Sequence, residues 1–157
     1  MAFFCCGQVP LAFAAIGDSQ PFSDLVPATL HVYYGHDMGT VAELELKDRK
    51  IVCRSNHGEQ WVHIQPTLDQ WSKFIAELNA AKVYKWQDHY LNRMPVARDG
   101  NFRWSFEIQI GDRHFASDGD TDFPLDGDVV AQKQPSDHIS FELMLKAVSE
   151  LIGRDFP

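Results

Sequence analysis

Between Phe102 and Ile110 apolar and polar residues alternate without a fault. Phe102, Trp104, Phe106, Ile108 and Ile110 fall on one side, Arg103, Ser105, Glu107 and Gln109 on the other. Period two over this length predicts a β-strand with one buried face, and aromatic and β-branched side chains suit a pleated surface. Gly111-Asp112 predicts a two-residue hairpin turn. That turn sets Ile110 opposite Arg113, Ile108 opposite Phe115 and Glu107 opposite Ala116. The returning strand is expected to run into an Asp/Gly loop that ends at Phe123-Pro124.

Upstream, Thr29 to Gln65 reads as a β-meander. Leu30, Val32 and Tyr34 alternate with His31 and Tyr33, and Ala42, Leu44 and Leu46 alternate with Glu43, Glu45 and Lys47. Asp48-Arg49 turns into a third strand over Ile51–Arg54, and Ser55-Asn56-His57-Gly58 into a fourth over Trp61–Ile64. After Pro66 the period changes to 3.6. Thr67 followed by Gln70 matches a capping box, and Leu68, Trp71, Phe74, Ile75, Leu78 and Ala81 form one stripe of a helix. Val83–Leu91 alternates weakly and predicts a further strand. A second helix is expected from Phe141, Met144, Leu145, Val148, Leu151 and Ile152, with Gly153 placed to stop it. The expected fold is α+β: an antiparallel sheet of about six to seven strands with two amphipathic helices packed on one face.

Residues 1–15 are apolar and carry no charged side chain, and Ala12-Phe13-Ala14 has the form of a signal-peptidase site. The first lysine is Lys47, so the basic start of an export signal is missing. Residues 1–28 therefore read either as a signal remnant with a linker containing Pro21 and Pro27, or as an apolar arm leading into one domain over 29–157. The first reading places the protein in the periplasm or outside the cell, the second in the cytoplasm. Neither makes a transmembrane span, which needs about 20 apolar residues.

Composition narrows the partners. The chain has 157 residues, a formal net charge of −8 and 45% hydrophobic residues, which is ordinary globular make-up. A nucleic-acid partner is excluded as the main one, because phosphate binding needs clustered Lys and Arg. Residues 99–128 hold eight acids against Arg103 and Arg113, a local charge of −6. That imbalance points to a cation or a basic protein as the partner of this region. Cys5, Cys6 and Cys53 make no disulfide framework, and Cys53, in phase with Ile51, reads as a small core hydrophobe.

Asp99-Gly100, then Trp104, then Ser117 before Gly119 and Phe123-Pro124, resembles a pattern of small bacterial domains of unknown function. In those, DG-x-x-W precedes a hairpin, S-G-x-x-x-(F/Y)-P and a terminal amphipathic helix. The resemblance covers about residues 67–152. It departs at Asp118, which separates Ser117 from Gly119, and at one extra residue before Trp104. It implies a domain type, with Asp99, Gly100, Trp104, Gly119, Phe123 and Pro124 as structural motif residues, and no activity.

Three site chemistries compete around the hairpin. Glu107 and His114 are diagonal neighbours on its polar face, and a carboxylate beside an imidazole can orient a general base, as in a small hydrolase. Asp118, Asp120, Asp122 and Asp126 recur at spacings that invite a loose calcium site. Phe123 and Val129, however, stand where an EF-hand needs its turn glycine and bidentate glutamate. The third reading is structural, with Gly119 in a conformation that other residues avoid and Phe123-Pro124 closing the sheet edge. For the loop the sequence favours the structural reading, and for the chain as a whole a non-enzymatic binding module that presents Glu107, His114 and the aspartates. It points to no catalytic residue, no metal ligand set and no cofactor. Tyr33, Trp61, Trp86 and Tyr90 fall outside the strongest apolar stripes and are candidates for exposed binding aromatics.

Overall fold

The structure, a computed structural model, describes residues 26–36, 41–55, 58–91, 102–120, 123–124 and 139–156. Strand β1 (Thr29–His36) leads a meander through β2 (Val41–Lys47), β3 (Lys50–Ser55) and β4 (Gly58–Ile64). Helix α1 (Leu68–Ala80) and a 3₁₀ turn at Val83–Lys85 follow. Then come β5 (His89–Leu91), β6 (Phe102–Ile110), β7 (Arg113–Asp120) and α2 (Ile139–Ile152). The seven strands form one sheet in the order β4-β3-β2-β1-β6-β7-β5, so α1 carries the chain from one edge to the other.

Two turns among the described residues are built locally. Asp48 and Arg49, between β2 and β3, both take positive φ, the geometry of a type I′ turn that matches strand twist. Gly111, between β6 and β7, stands at φ 57°, as the first central position of a type II′ turn demands. The β6–β7 register is the expected one, with Ile108 opposite Phe115, Ile110 opposite Arg113 and Glu107 opposite Ala116.

The seam between meander and hairpin is β1 against β6, antiparallel from Thr29↔Gln109 to His36↔Phe102. On its inner face Leu30 meets Ile108 and Val32 meets Phe106, all of them buried. Ala42, Leu44, Ile51 and Cys53 extend this layer across β2 and β3. The helices cover it with Trp71, Phe74, Ile75 and Leu78 from α1 and with Phe141, Met144, Ala147, Val148, Leu151 and Ile152 from α2. Both are therefore amphipathic helices on one face of the sheet. Leu68, expected in the α1 stripe, is 69% exposed, because the helix starts there and its first residue points off the core.

The helix ends are fixed as their residues dictate. The Gln70 N–H donates to Thr67 Oγ1 at 3.2 Å and the Thr67 N–H to Gln70 Oε1 at 2.9 Å, a closed capping box. At the end of α2, Gly153 at φ +67° lets its own N–H reach the Glu150 carbonyl and that of Arg154 the Ser149 carbonyl, a Schellman motif. The helices run antiparallel, since Gln70 near the start of α1 bonds the Leu151 carbonyl and Ser140 at the start of α2 bonds that of Ala81. Ser140 is buried and fully used: it accepts from Trp86 Nε1 at 3.0 Å while donating to Ala81.

Three expectations are corrected near β5. The sheet is antiparallel except here, where β5 runs parallel to β7 with His89↔Asp118, Tyr90↔Gly119 and Leu91↔Asp120. The pairing is anchored by backbone: the Asp118 N–H donates to the Asp88 carbonyl, and buried Ser117 donates to that of Gln87 at 2.7 Å. Second, Trp86 is a core residue and Tyr90 packs half-buried against the core, with Trp86 edge-on to Trp104 at 5.9 Å and Tyr90 5.8 Å from Trp104. Third, Asp118, Gly119 and Asp120 are strand residues, because β7 continues to Asp120. The positive-φ glycines among the described residues are Gly111 and Gly153, so Gly119 serves another purpose. It lies in register between Tyr90 and Trp104 on the inner face, and its missing side chain lets the two rings meet across β7. Phe123 joins them, 6.4 Å from Trp104 and 4.8 Å from Phe141, with Pro124 buried beside it. Asp99, Gly100, Asp122, Asp126, residues 1–25 and the Trp61 side chain lie outside the described residues.

On the helix seam Lys73 of α1 contacts Glu150 of α2, with Glu77 and Lys146 beside them. One Glu77 oxygen is buried without a hydrogen bond. Its burial, reinforced by the neighbouring Glu150 carboxylate, raises the Glu77 carboxyl above its ordinary range. Lys73 holds Glu150 below its own.

These features make three predictions. Ile108→Ala removes a fully buried side chain between Leu30 and Phe115 and should cost about 2–4 kcal/mol in a denaturant series. Valine is the better strand former, yet Gly119→Val should destabilise by about 1–3 kcal/mol through overpacking, and Gly119→Ala by less. A gain in stability for Gly119→Val would refute the ring contact as the reason for glycine. The raised carboxyl of Glu77 makes the native state bind more protons than the unfolded one above the ordinary glutamate range, so this group costs stability as pH rises. Glu77→Gln should raise the melting temperature at neutral pH, and the gain should shrink as pH falls through ~4 and vanish near pH ~3, where both states are protonated.

Candidate functional site

The face of the sheet opposite the helices is polar, and the register decides who meets on it. Because Leu30, Val32, Phe106 and Ile108 turn inward, His31, Tyr33, Ser105 and Glu107 turn outward. Arg103, Gln109, His114, Ala116, Asp118 and Asp120 share that side on β6 and β7, and Glu43, Glu45, Arg54 and His89 extend it to β2, β3 and β5. All four histidines whose side chains are described, His31, His63, His89 and His114, stand here.

Three of them are held by carboxylates. His114 Nε2 donates to Glu107 Oε1 at 2.8 Å, the diagonal pair expected from the hairpin alone. His89 Nδ1 donates to Asp118 Oδ1 at 2.7 Å, across the parallel β5–β7 pairing. His31 Nε2 donates to Glu43 Oε1 at 3.4 Å, while the other oxygen of Glu43 accepts from Arg54 Nη2 at 2.9 Å. His31 also stands directly across from Glu45 on β2 and Glu107 on β6. Acidic and basic groups thus alternate from Arg54 through Glu43, His31 and Glu107 to His114, over five adjacent strands. Tyr33 lies along the face with its ring tip over Gly35, where a Cβ would collide with the phenol oxygen.

Side-chain exposure decides what this arrangement can do. His114 and Glu107 keep 54% and 48% of their surface, His89 and Asp118 69% and 48%. Pairs this open contribute about 0–1 kcal/mol each, so they do not hold the fold together. They offer carboxylate oxygens and imidazole nitrogens to a ligand that approaches this face. A buried base with a substrate cleft is a different construction.

The residues singled out in the sequence part company here. Glu107, His114, Asp118 and Asp120 share the outer face. Asp118 and Asp120 stand in a row along β7, and the other two candidate calcium ligands, Asp122 and Asp126, lie outside the described residues. Trp104 and Gly119 lie on the opposite, inner side, where Trp104 and Phe123 pack on Phe141, and Pro124 is buried next to Phe123 in the chain. His31, Glu43, Arg54 and His89 were missed. The signal for His31 and Glu43 was present in the alternation of both strands, once the β1–β2 register is known; His89 carries no local signal.

Among the described residues no group of three or more His, Cys, Asp or Glu is arranged to hold a metal ion, and no helix is long and apolar enough to cross a membrane. No family model matches the chain, and no curated protein is significantly similar to it.

Proposed function

We propose that this chain is a binding module that presents the outer face of its sheet, on the β6–β7–β5 side, to a basic protein segment. The observation that carries the reading is the row of solvent-side carboxylates Glu107, Asp118 and Asp120, within a stretch of the chain whose net charge is −6. A half-exposed acidic surface favours lysine- or arginine-rich partners by electrostatic complementarity and suits fast association more than chemistry. The pattern shared with small bacterial domains of unknown function supports a relationship in architecture. Its residues Trp104, Gly119 and Phe123 converge in one aromatic cluster, so the pattern has a packing rationale. A hydrolase working through Glu107 and His114 is the rival reading, and it rests on their 2.8 Å contact.

Calorimetric titration with a lysine-rich peptide at low ionic strength tests the proposal. Saturable binding is expected, weakened roughly tenfold by Glu107→Gln combined with Asp118→Asn and weakened again by added salt. Glu142→Gln, on an exposed position of α2, should leave the affinity unchanged. Absence of binding, or equal losses for the α2 variant, would sink the reading.

A further inference from the structure

The proposed surface has an internal set of counter-ions that a plain acidic patch lacks. On β1, β6, β7 and β5 the outward positions carry three acids, Glu107, Asp118 and Asp120, against one arginine, Arg103. The same positions carry His31, His89 and His114. With Glu43 and Glu45 of β2 and Arg54 of β3, the groups around His31, counted in, the surface has a net charge of −3 with neutral imidazoles, and three protonated imidazoles take it to zero. Histidine is the side chain whose ordinary titration falls between pH 5 and 8.

We infer that the outer sheet face is a pH-gated surface, on which the three histidines displace a basic partner from the carboxylates as the medium acidifies. This deepens the binding reading and rests on it. The gate is geometric. Each imidazole is already seated on the oxygen that a lysine or arginine would need: His114 on Glu107, His89 on Asp118 and His31 on Glu43. A neutral imidazole donates a hydrogen bond and leaves the carboxylate its charge, whereas an imidazolium at the same distance neutralises it.

The groups that face each histidine across the strands are named by the register. Toward His31 face Glu43 and Glu45 from β2 and Glu107 from β6, with Arg54 of β3 reaching the far side of Glu43. Toward His114 faces Glu107 from β6, and its direct neighbour there, Gln109, is uncharged. His89 is met by Asp118 from β7. Each imidazole therefore meets carboxylates first, and protonation strengthens contacts already made without moving the backbone. The external partner loses what the histidine gains.

The experiment is the same peptide titration at about pH 8 and about pH 5.5, with the unmodified protein and with the triple variant His31→Gln, His89→Gln, His114→Gln. Lysine side chains of the probe stay charged throughout this range. The unmodified protein should lose roughly tenfold or more in affinity on acidification, and the triple variant less than about twofold. Circular dichroism at both pH values reports whether the variant is folded. If it is not, His89→Gln alone, the most exposed of the three changes, should still remove part of the drop. Equal losses with and without the histidines would overturn the gate while leaving the binding reading standing. No binding at either pH would sink both.

Discussion

The pairing of β1 with β6 is the constraint on which the molecule depends. It joins a meander and a hairpin that are separated in the chain by α1, a 3₁₀ turn and the edge strand β5. Its register, Leu30 on Ile108 and Val32 on Phe106, is set by burial on one face. Side chains alternate with period two, so a slip of β1 by one residue would send Leu30 and Val32 outward and bring His31 and Tyr33 into the core, and a slip of β6 would exchange Phe106 and Ile108 for Ser105 and Glu107. The cost of burying a histidine and a glutamate without arranged partners far exceeds what any outer-face contact returns. The inner face therefore fixes the register, and the outer face inherits its neighbours.

This division explains which parts of the fold were legible in the sequence. Elements whose determinants are local read directly. The alternation of 102–110, the Gly111-Asp112 turn, Thr67 with Gln70 and the stop at Gly153 each carry their own physics within a few residues. The β5 end did not read that way. Three residues, His89–Leu91, are too few for periodicity to declare a strand, and their direction depends on Ser117 and Asp118, almost thirty positions on, bonding the carbonyls of Gln87 and Asp88. Trp86 and Tyr90 look misplaced by sequence phase because they enter the core from a 3₁₀ turn and an edge strand, where the phase of the preceding helix no longer applies.

Gly119 shows how a correct residue can be assigned the wrong physics. Among aspartates it suggests a turn that needs positive φ. In the sheet it is extended backbone, and what matters is the absent side chain. Strands β5 and β6 flank β7 on opposite sides, roughly 9–10 Å apart at ordinary strand spacing. Tyr90 and Trp104 close to a centroid separation of 5.8 Å on either side of Gly119, the position between them that carries no side chain. Trp104 then packs on Phe141, Phe141 on Phe123, and Ser140 next to Phe141 takes the indole proton of Trp86. The start of α2 is thus tied to the hairpin by aromatic contact and by one buried hydroxyl.

The outer face obeys weaker rules, and that weakness is informative. Of its three histidine–carboxylate pairs, only His114 with Glu107 belongs to a single tight hairpin, so only that pair could be read from the sequence. His31 with Glu43 depends on the loop joining β1 to β2, and His89 with Asp118 on the parallel edge. Exposed pairs of this kind add little to stability, so packing does not require imidazole at any of the three positions. A sheet covered on one side needs only a polar exterior, and lysine, threonine or glutamine would supply one. Histidine beside a carboxylate, three times on one face, makes a surface whose charge is set by the medium on a scaffold whose shape is set by Leu30, Val32, Phe106 and Ile108. Charge and shape are therefore governed by different residues on opposite sides of the same strands, and either can change without the other.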